Sequence, residues 1–136
     1  MNALIRTLSL VFSAGAFGGL LNSLTLWIFG RAHLTAELGV KLAPALTPAW
    51  LYPRLVWGGL WGALFLLPLW RDRPVLRGLV YSLGPTLVQL LVVFPYQAKK
   101  GMFGLALGNF TPLFVVLFNA VWGVAAALWL KAAEKP

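Results

Sequence analysis

A chain of 136 residues that is 60% hydrophobic and 10% charged, with a mean hydropathy of +0.84, excludes a water-soluble domain, which carries charge on about a quarter of its residues. Eleven Lys and Arg against Glu37, Asp72 and Glu134 give a net charge of +8, but these cations flank apolar runs instead of forming a patch. That placement points to anionic lipid headgroups and excludes nucleic acid. With no cysteine, disulfides, thiolate metal sites and thiol redox chemistry are excluded as well.

The first charge-free run, 7–29, lies between Arg6 and Arg31 and is long enough to span a bilayer as a helix. Arg6 followed by Ala14-Gly15-Ala16 imitates a signal peptide. Apolar sequence continues well past Ala16, however, so the run is read as a retained span. In the connection that follows, Leu34, Leu38 and Leu42 share one helical face, with Glu37 and Lys41 opposite and four apart. This predicts a short interfacial helix over about 34–42 with a Glu37–Lys41 pair. His33 is a lone histidine with no second ligand at metal-binding spacing.

Thr47-Pro48 is an N-cap followed by proline at the first helical position, and opens a second span predicted at 48–70. Only 16 charge-free residues separate Arg54 from Arg71, so Arg54 is forced inside the helix, where it must snorkel or find a partner. A third span at 78–97 follows Arg71, Arg73 and Arg77, carries a kink at Pro85 and stops at Lys99-Lys100. The Gly-rich apolar stretch 101–110 is expected to form an interfacial loop, the alternative being a re-entrant segment that dips into the protein. Thr111-Pro112 repeats the cap-and-proline signal before a fourth span at 112–130. Trp27, Trp50, Trp70, Tyr96 and Trp129 fall near span ends, as an aromatic belt requires.

The expected fold is therefore an all-α integral membrane four-helix bundle. Its two halves, 1–70 and 71–136, also read as tandem helical hairpins of parallel orientation. Residues 10–15 (LVFSAG) match 79–84 (LVYSLG), Leu46-Thr47-Pro48-Ala49-Trp50 matches Phe110-Thr111-Pro112-Leu113-Phe114, and Trp61-Gly62 answers Trp122-Gly123. One face then gathers both long loops, with His33, Glu37, Lys41, Arg54, Lys99, Lys100 and Asn109. With the N-terminus inside, six inner cations (Arg6, Arg71, Arg73, Arg77, Lys131, Lys135) face five outer ones (Arg31, Lys41, Arg54, Lys99, Lys100), which is almost no bias. The density of arginine in the shortest loop places both termini on the cytoplasmic side of a bacterial inner (plasma) membrane.

No span interior holds Asp, Glu, Lys or His, which argues against a proton-coupled transporter, and no nucleophile, carboxylate pair, phosphate loop or metal cluster appears. No catalytic residue, metal or cofactor is expected. The intramembrane polar candidates are Asn22, Gln89 and Asn119, with Ser13, Ser23, Ser82 and Thr86 nearby. Their ordinary role would be interhelical hydrogen bonding, and the alternative is a polar path or ligand cradle. Arg54, Lys99, Lys100 and Asn109 are the candidates for headgroup or partner contact. Gly15 and Gly19, Gly58 and Gly62, and Gly123 with Ala127 put small residues on helix faces suited to close packing, within the chain or against another subunit. Trp57, Trp61 and Phe65 form a stripe of the kind that packs against lipid or a neighbouring helix. Small size and small-residue faces favour an accessory, assembly or stabilising subunit of a larger membrane complex. The alternatives are a passive channel or facilitator acting as a homo-oligomer, and an anionic-lipid-binding protein.

Overall fold

A computed structural model describes residues 2–134; Lys135, counted above among the inner cations, lies outside them. The regular structure of the described chain is all helical, without strands. Helix α1, Ala3–Arg31, is 29 residues long and begins where Asn2 accepts a hydrogen bond from the Leu4 amide at 2.7 Å. At about 1.5 Å per residue it is long enough to cross a bilayer with several residues to spare. His33, at φ +60°, turns the chain into α2, Leu34–Glu37. The helix expected over 34–42 is therefore a single turn. Gly39 leaves helical geometry at φ +75°, the Val40 amide returns to the Thr35 carbonyl, and the Thr35 hydroxyl donates to the Leu42 carbonyl at 2.7 Å. Glu37 and Lys41 thus do not share a helix face, and no ion pair between them is formed.

Helix α3, Pro48–Trp61, starts as expected: Thr47 Oγ1 accepts from the Trp50 amide at 3.2 Å, and proline occupies the first helical position. It continues as a 3₁₀ segment, Gly62–Leu66, and stops short of the predicted Trp70. Leu67 is extended, with ψ 123°, because the ring of Pro68 disfavours helical geometry in the residue before it.

The next helix is built of three pieces: α4 (Pro74–Tyr81), α5 (Leu83–Val88) and a π-helical segment, Gln89–Gln97. The interruption at Ser82 follows from Pro85, which has no N–H for the Tyr81 carbonyl. Pro95, inside the π segment, removes another. A loop with Phe103 and Gly104 at positive φ leads to α6, Thr111–Glu134. The second Thr-Pro corner is not a copy of the first. The buried Thr111 Oγ1 has no hydrogen-bond partner among the described residues, and its methyl lies against Gly104.

Three helices are long and apolar enough to cross a membrane: Ala3–Arg31, Pro74–Gln97 and Thr111–Ala133. Helix α1 occupies the middle, with α3 along one face and α6 along another, and α6 carries α4 on its far side. Glycines set both close contacts. Gly15 and Gly19 meet Gly58 and Gly62 backbone to backbone, and Gly78 meets Gly123 in the same way. Gly18, on the other face of α1, lies against the Trp122 backbone. Helix α3 and the Pro74–Gln97 helix are not packed along their length. They approach where Trp61 and Leu64 lie over Gly84 and where Phe65 meets Tyr81, and they leave a cleft toward the Thr47 end.

Gly15→Ala places a methyl into the Gly58 carbonyl and is expected to cost about 1–3 kcal/mol. Gly84→Ala meets only side-chain atoms, a Leu64 methyl and the edge of the Trp61 ring, and should cost much less. Thermal unfolding in detergent, followed by tryptophan fluorescence, checks the difference; equal midpoints would contradict the glycine-packed α1–α3 contact.

Candidate functional site

Arg54 lies seven residues beyond Thr47 in α3, about 10 Å along the helix from its cap. The close approach of Gly19 and Gly58 brings α1 against α3 at this level, and this meets the need of Arg54 for a partner. Its Nε donates to Ser23 Oγ at 2.8 Å and its Nη2 to Asn22 Oδ1 at 2.7 Å, while the guanidinium lies 4.8 Å from the centroid of the Trp50 ring. All three partners are neutral.

These contacts orient a chain of amides. With Oδ1 held by Arg54, the Asn22 Nδ2 donates to the Phe118 carbonyl at 2.9 Å and to Asn119 Oδ1 at 3.2 Å. Asn119 Nδ2 in turn donates to Thr86 Oγ1 at 3.1 Å and more weakly to Gln89 Oε1 at 3.5 Å. The network joins α3, α1, α6 and the Pro74–Gln97 helix, and each amide polarises the next. Its two ends have the same character. Among the described residues nothing accepts from Arg54 Nη1 or from Gln89 Nε2, so both ends present donors.

Both ends face space. A cavity of about 420 Å³ is walled by Asn22, Arg54, Gln89 and Asn119, with Lys41 and Pro44 at the loop side. A second, of about 370 Å³, shares those four residues and extends between Trp57 and Trp61 on one side and Val88 and Val92 on the other. Toward the opposite end the space closes at Trp122, whose indole N–H is shared between the carbonyls of Gly15 at 3.1 Å and Gly58 at 3.3 Å. Beyond it Phe65, Tyr81 and Ala126 fill the core.

The structure thus brings Asn22, Gln89 and Asn119 together with Arg54 in one cluster. Lys99 and Lys100 are exposed at the end of the π segment, Asn109 is exposed in the following loop, and none of the three lines these cavities. Ser23 and Thr86, noted in sequence as bystanders, complete the network. Lys41, expected to pair with Glu37, instead borders the mouth, and Trp50 supports the guanidinium besides standing near a helix end. Trp122 gave no signal beyond its place in the repeat comparison, because its role depends on glycine carbonyls far away in sequence. Arg77, read as an inner-face cation, is 4% exposed. Its Nη2 donates to the carbonyls of Phe65 and Leu67, and the guanidinium lies 5.2 Å from the Phe65 ring centroid and 5.6 Å from that of Tyr81. It is a clamp on the irregular end of the α3 segment. No group of His, Asp or Glu able to hold a metal occurs among the described residues.

No protein-family model matches the chain, and neither a curated protein nor a solved structure is significantly similar to it.

The absence of native cysteine makes the cavity testable by labelling. Gln89→Cys is expected to react with a small charged thiol reagent from the same side of the membrane as Lys41→Cys, while Ala126→Cys stays unlabelled. Reaction of Gln89→Cys only from the opposite side would mean that water reaches the cluster by another route.

Proposed function

We propose that this protein binds an anion within the membrane, holding the ligand's acidic group at Arg54 and the Gln89 amide. The observation that carries the reading is a half-buried guanidinium two turns into α3 whose protein partners are all neutral, on a residue that lines both cavities. A cation in such surroundings is costly without a counter-charge. The three acids stand outside the apolar spans: Glu37 ends the single-turn α2, Asp72 lies in the turn before α4, and Glu134 ends α6. An acidic ligand group would offset that cost, and a guanidinium fork suits a carboxylate or phosphate. Lys41 at the mouth adds attraction along the approach.

This develops the anionic-headgroup expectation but moves its centre from Lys99 and Lys100 to Arg54. We propose binding, not catalysis. The reading includes a fourth crossing by α3 and its 3₁₀ continuation, which at residues 48–66 comes close to bilayer thickness. Each half has a glycine contact, Gly15–Gly58 and Gly78–Gly123, but the repeat register pairs Gly15 with Gly84, so the two contacts are not equivalent. A passive facilitator would need a second mouth beyond Trp122. The accessory-subunit reading drew on small-residue faces, and those at Gly15, Gly19, Gly58, Gly62 and Gly123 are occupied within the chain.

Acetate or inorganic phosphate should raise the thermal midpoint of the purified protein in nonionic detergent in a saturable way. Arg54→Gln should abolish the shift, and Arg54→Lys, which keeps charge but loses the fork, should weaken it about tenfold. Lys99→Ala with Lys100→Ala should leave it unchanged. A shift that survives Arg54→Gln, or no shift with either anion, would contradict the reading.

A further inference from the structure

We infer that the natural ligand is a single-chain lipid acid that enters sideways from the bilayer, with its acid group at Arg54 and its hydrocarbon chain in the cleft between α3 and the Pro74–Gln97 helix. The inference rests on the anion-site reading and adds the substrate class and the route.

Four observations support it. First, the cleft is a gap between two helices that pack elsewhere. Both lie against the α1–α6 pair, but they touch each other only near Gly84 and Tyr81, so a gap is left between them toward the Thr47 end. Second, its walls combine two characters. Arg54 is the one charged side chain and stands with the amides of Asn22, Gln89, Asn119 and Gln97, whereas Pro53, Trp57, Val88 and Val92 are apolar. Trp57 is 64% exposed and Val92 44%, so these groups stand open to whatever fills the cleft. A cation beside apolar surface is the complement of an amphipath. A small inorganic anion would use only the first.

Third, the size suits one chain. A volume of about 370 Å³ holds roughly a dozen water-sized groups, enough for a head and the upper part of one acyl chain, with the remainder left in the bilayer. Fourth, the groove on the other flank of α3 serves as a contrast. It is lined by Leu8, Phe12, Leu60 and Ala63 with two serines, contains no cation, and has nothing to distinguish an acid from any other lipid. The cleft at Arg54 differs from ordinary lipid-facing surface in its charge.

The test uses the full chain in nonionic detergent with 9,10-dibromostearic acid, whose bromines quench nearby tryptophan. Quenching should saturate at one equivalent. Palmitic acid should compete, while hexadecanol, lacking the charge, and acetate at equal concentration, lacking the chain, should not. Arg54→Gln should weaken binding about tenfold or more. Val92→Trp fills the cleft from an exposed position and leaves the polar network intact, so it should remove the long-chain acid while the acetate-induced thermal shift persists. If acetate competes as well as palmitic acid, or Val92→Trp has no effect on the long-chain acid, the lateral route is overturned and the anion site stands. If hexadecanol competes equally, the cleft is a general lipid surface and the inference is overturned. Unsaturable quenching together with no thermal shift from acetate or phosphate overturns both readings.

Discussion

Without a Cβ at Gly15, Gly19, Gly58 and Gly62, the backbones of α1 and α3 touch, and most of what is distinctive in this protein depends on that contact. Lipid supplies no hydrophobic force between helices, so close backbone approach is what holds them. The same approach brings Ser23 and Asn22 within 2.8 Å of a guanidinium carried by the neighbouring helix. It also sets the carbonyls of Gly15 and Gly58 side by side, where a third helix can offer one indole N–H to both. Wider spacing would leave Arg54 short of its partners and the Trp122 nitrogen short of its acceptors.

The two buried or half-buried arginines show how position decides the role of one residue type. Arg77 sits where the α3 segment loses helical geometry and leaves carbonyls without intrahelical partners, and it donates to two of them while lying against two rings. Backbone dipoles and π faces offset its charge, although its buried Nε has no hydrogen-bond partner among the described residues. Arg54 sits inside α3, one residue past Pro53, and its hydrogen bonds go to no backbone carbonyl. It must use side-chain oxygens, and these satisfy only part of its donor set. The remaining edge faces open space because α3 and the Pro74–Gln97 helix diverge there. Proline shapes that divergence, since Pro85 interrupts one helix at Ser82 and Pro95 lies in the π segment beyond Gln89. Irregular helix of this kind is common at functional sites.

Much of the element pattern was legible in the residues. Charge-free runs marked the helices Ala3–Arg31, Pro74–Gln97 and Thr111–Glu134, and Thr47-Pro48 marked the start of α3. Where the reading failed, local geometry prevailed over apolar composition. Pro68 ended the α3 segment at Leu66, and Gly39 reduced the interfacial helix to Leu34–Glu37. Asn22, Gln89, Asn119 and Arg54 were each conspicuous as polar groups in apolar sequence. Their meeting was not legible, because the closest of them in sequence are thirty or more residues apart and nothing in the helical period says which faces turn toward one another.

The sequence by itself therefore determined that the chain belongs to a membrane, that it is helical, and that its few polar residues within apolar runs need partners, since lipid offers none. Only the tertiary structure decided which partners those are. It turned Lys99, Lys100 and Asn109 away from the cavities, placed Lys41 at a mouth, and gathered one cation and three amides around a shared space. The physical reason is that hydropathy is a property of each residue alone, whereas a site is a relation among helix faces. Here that relation is set by where glycine lets backbones touch and where proline keeps them apart.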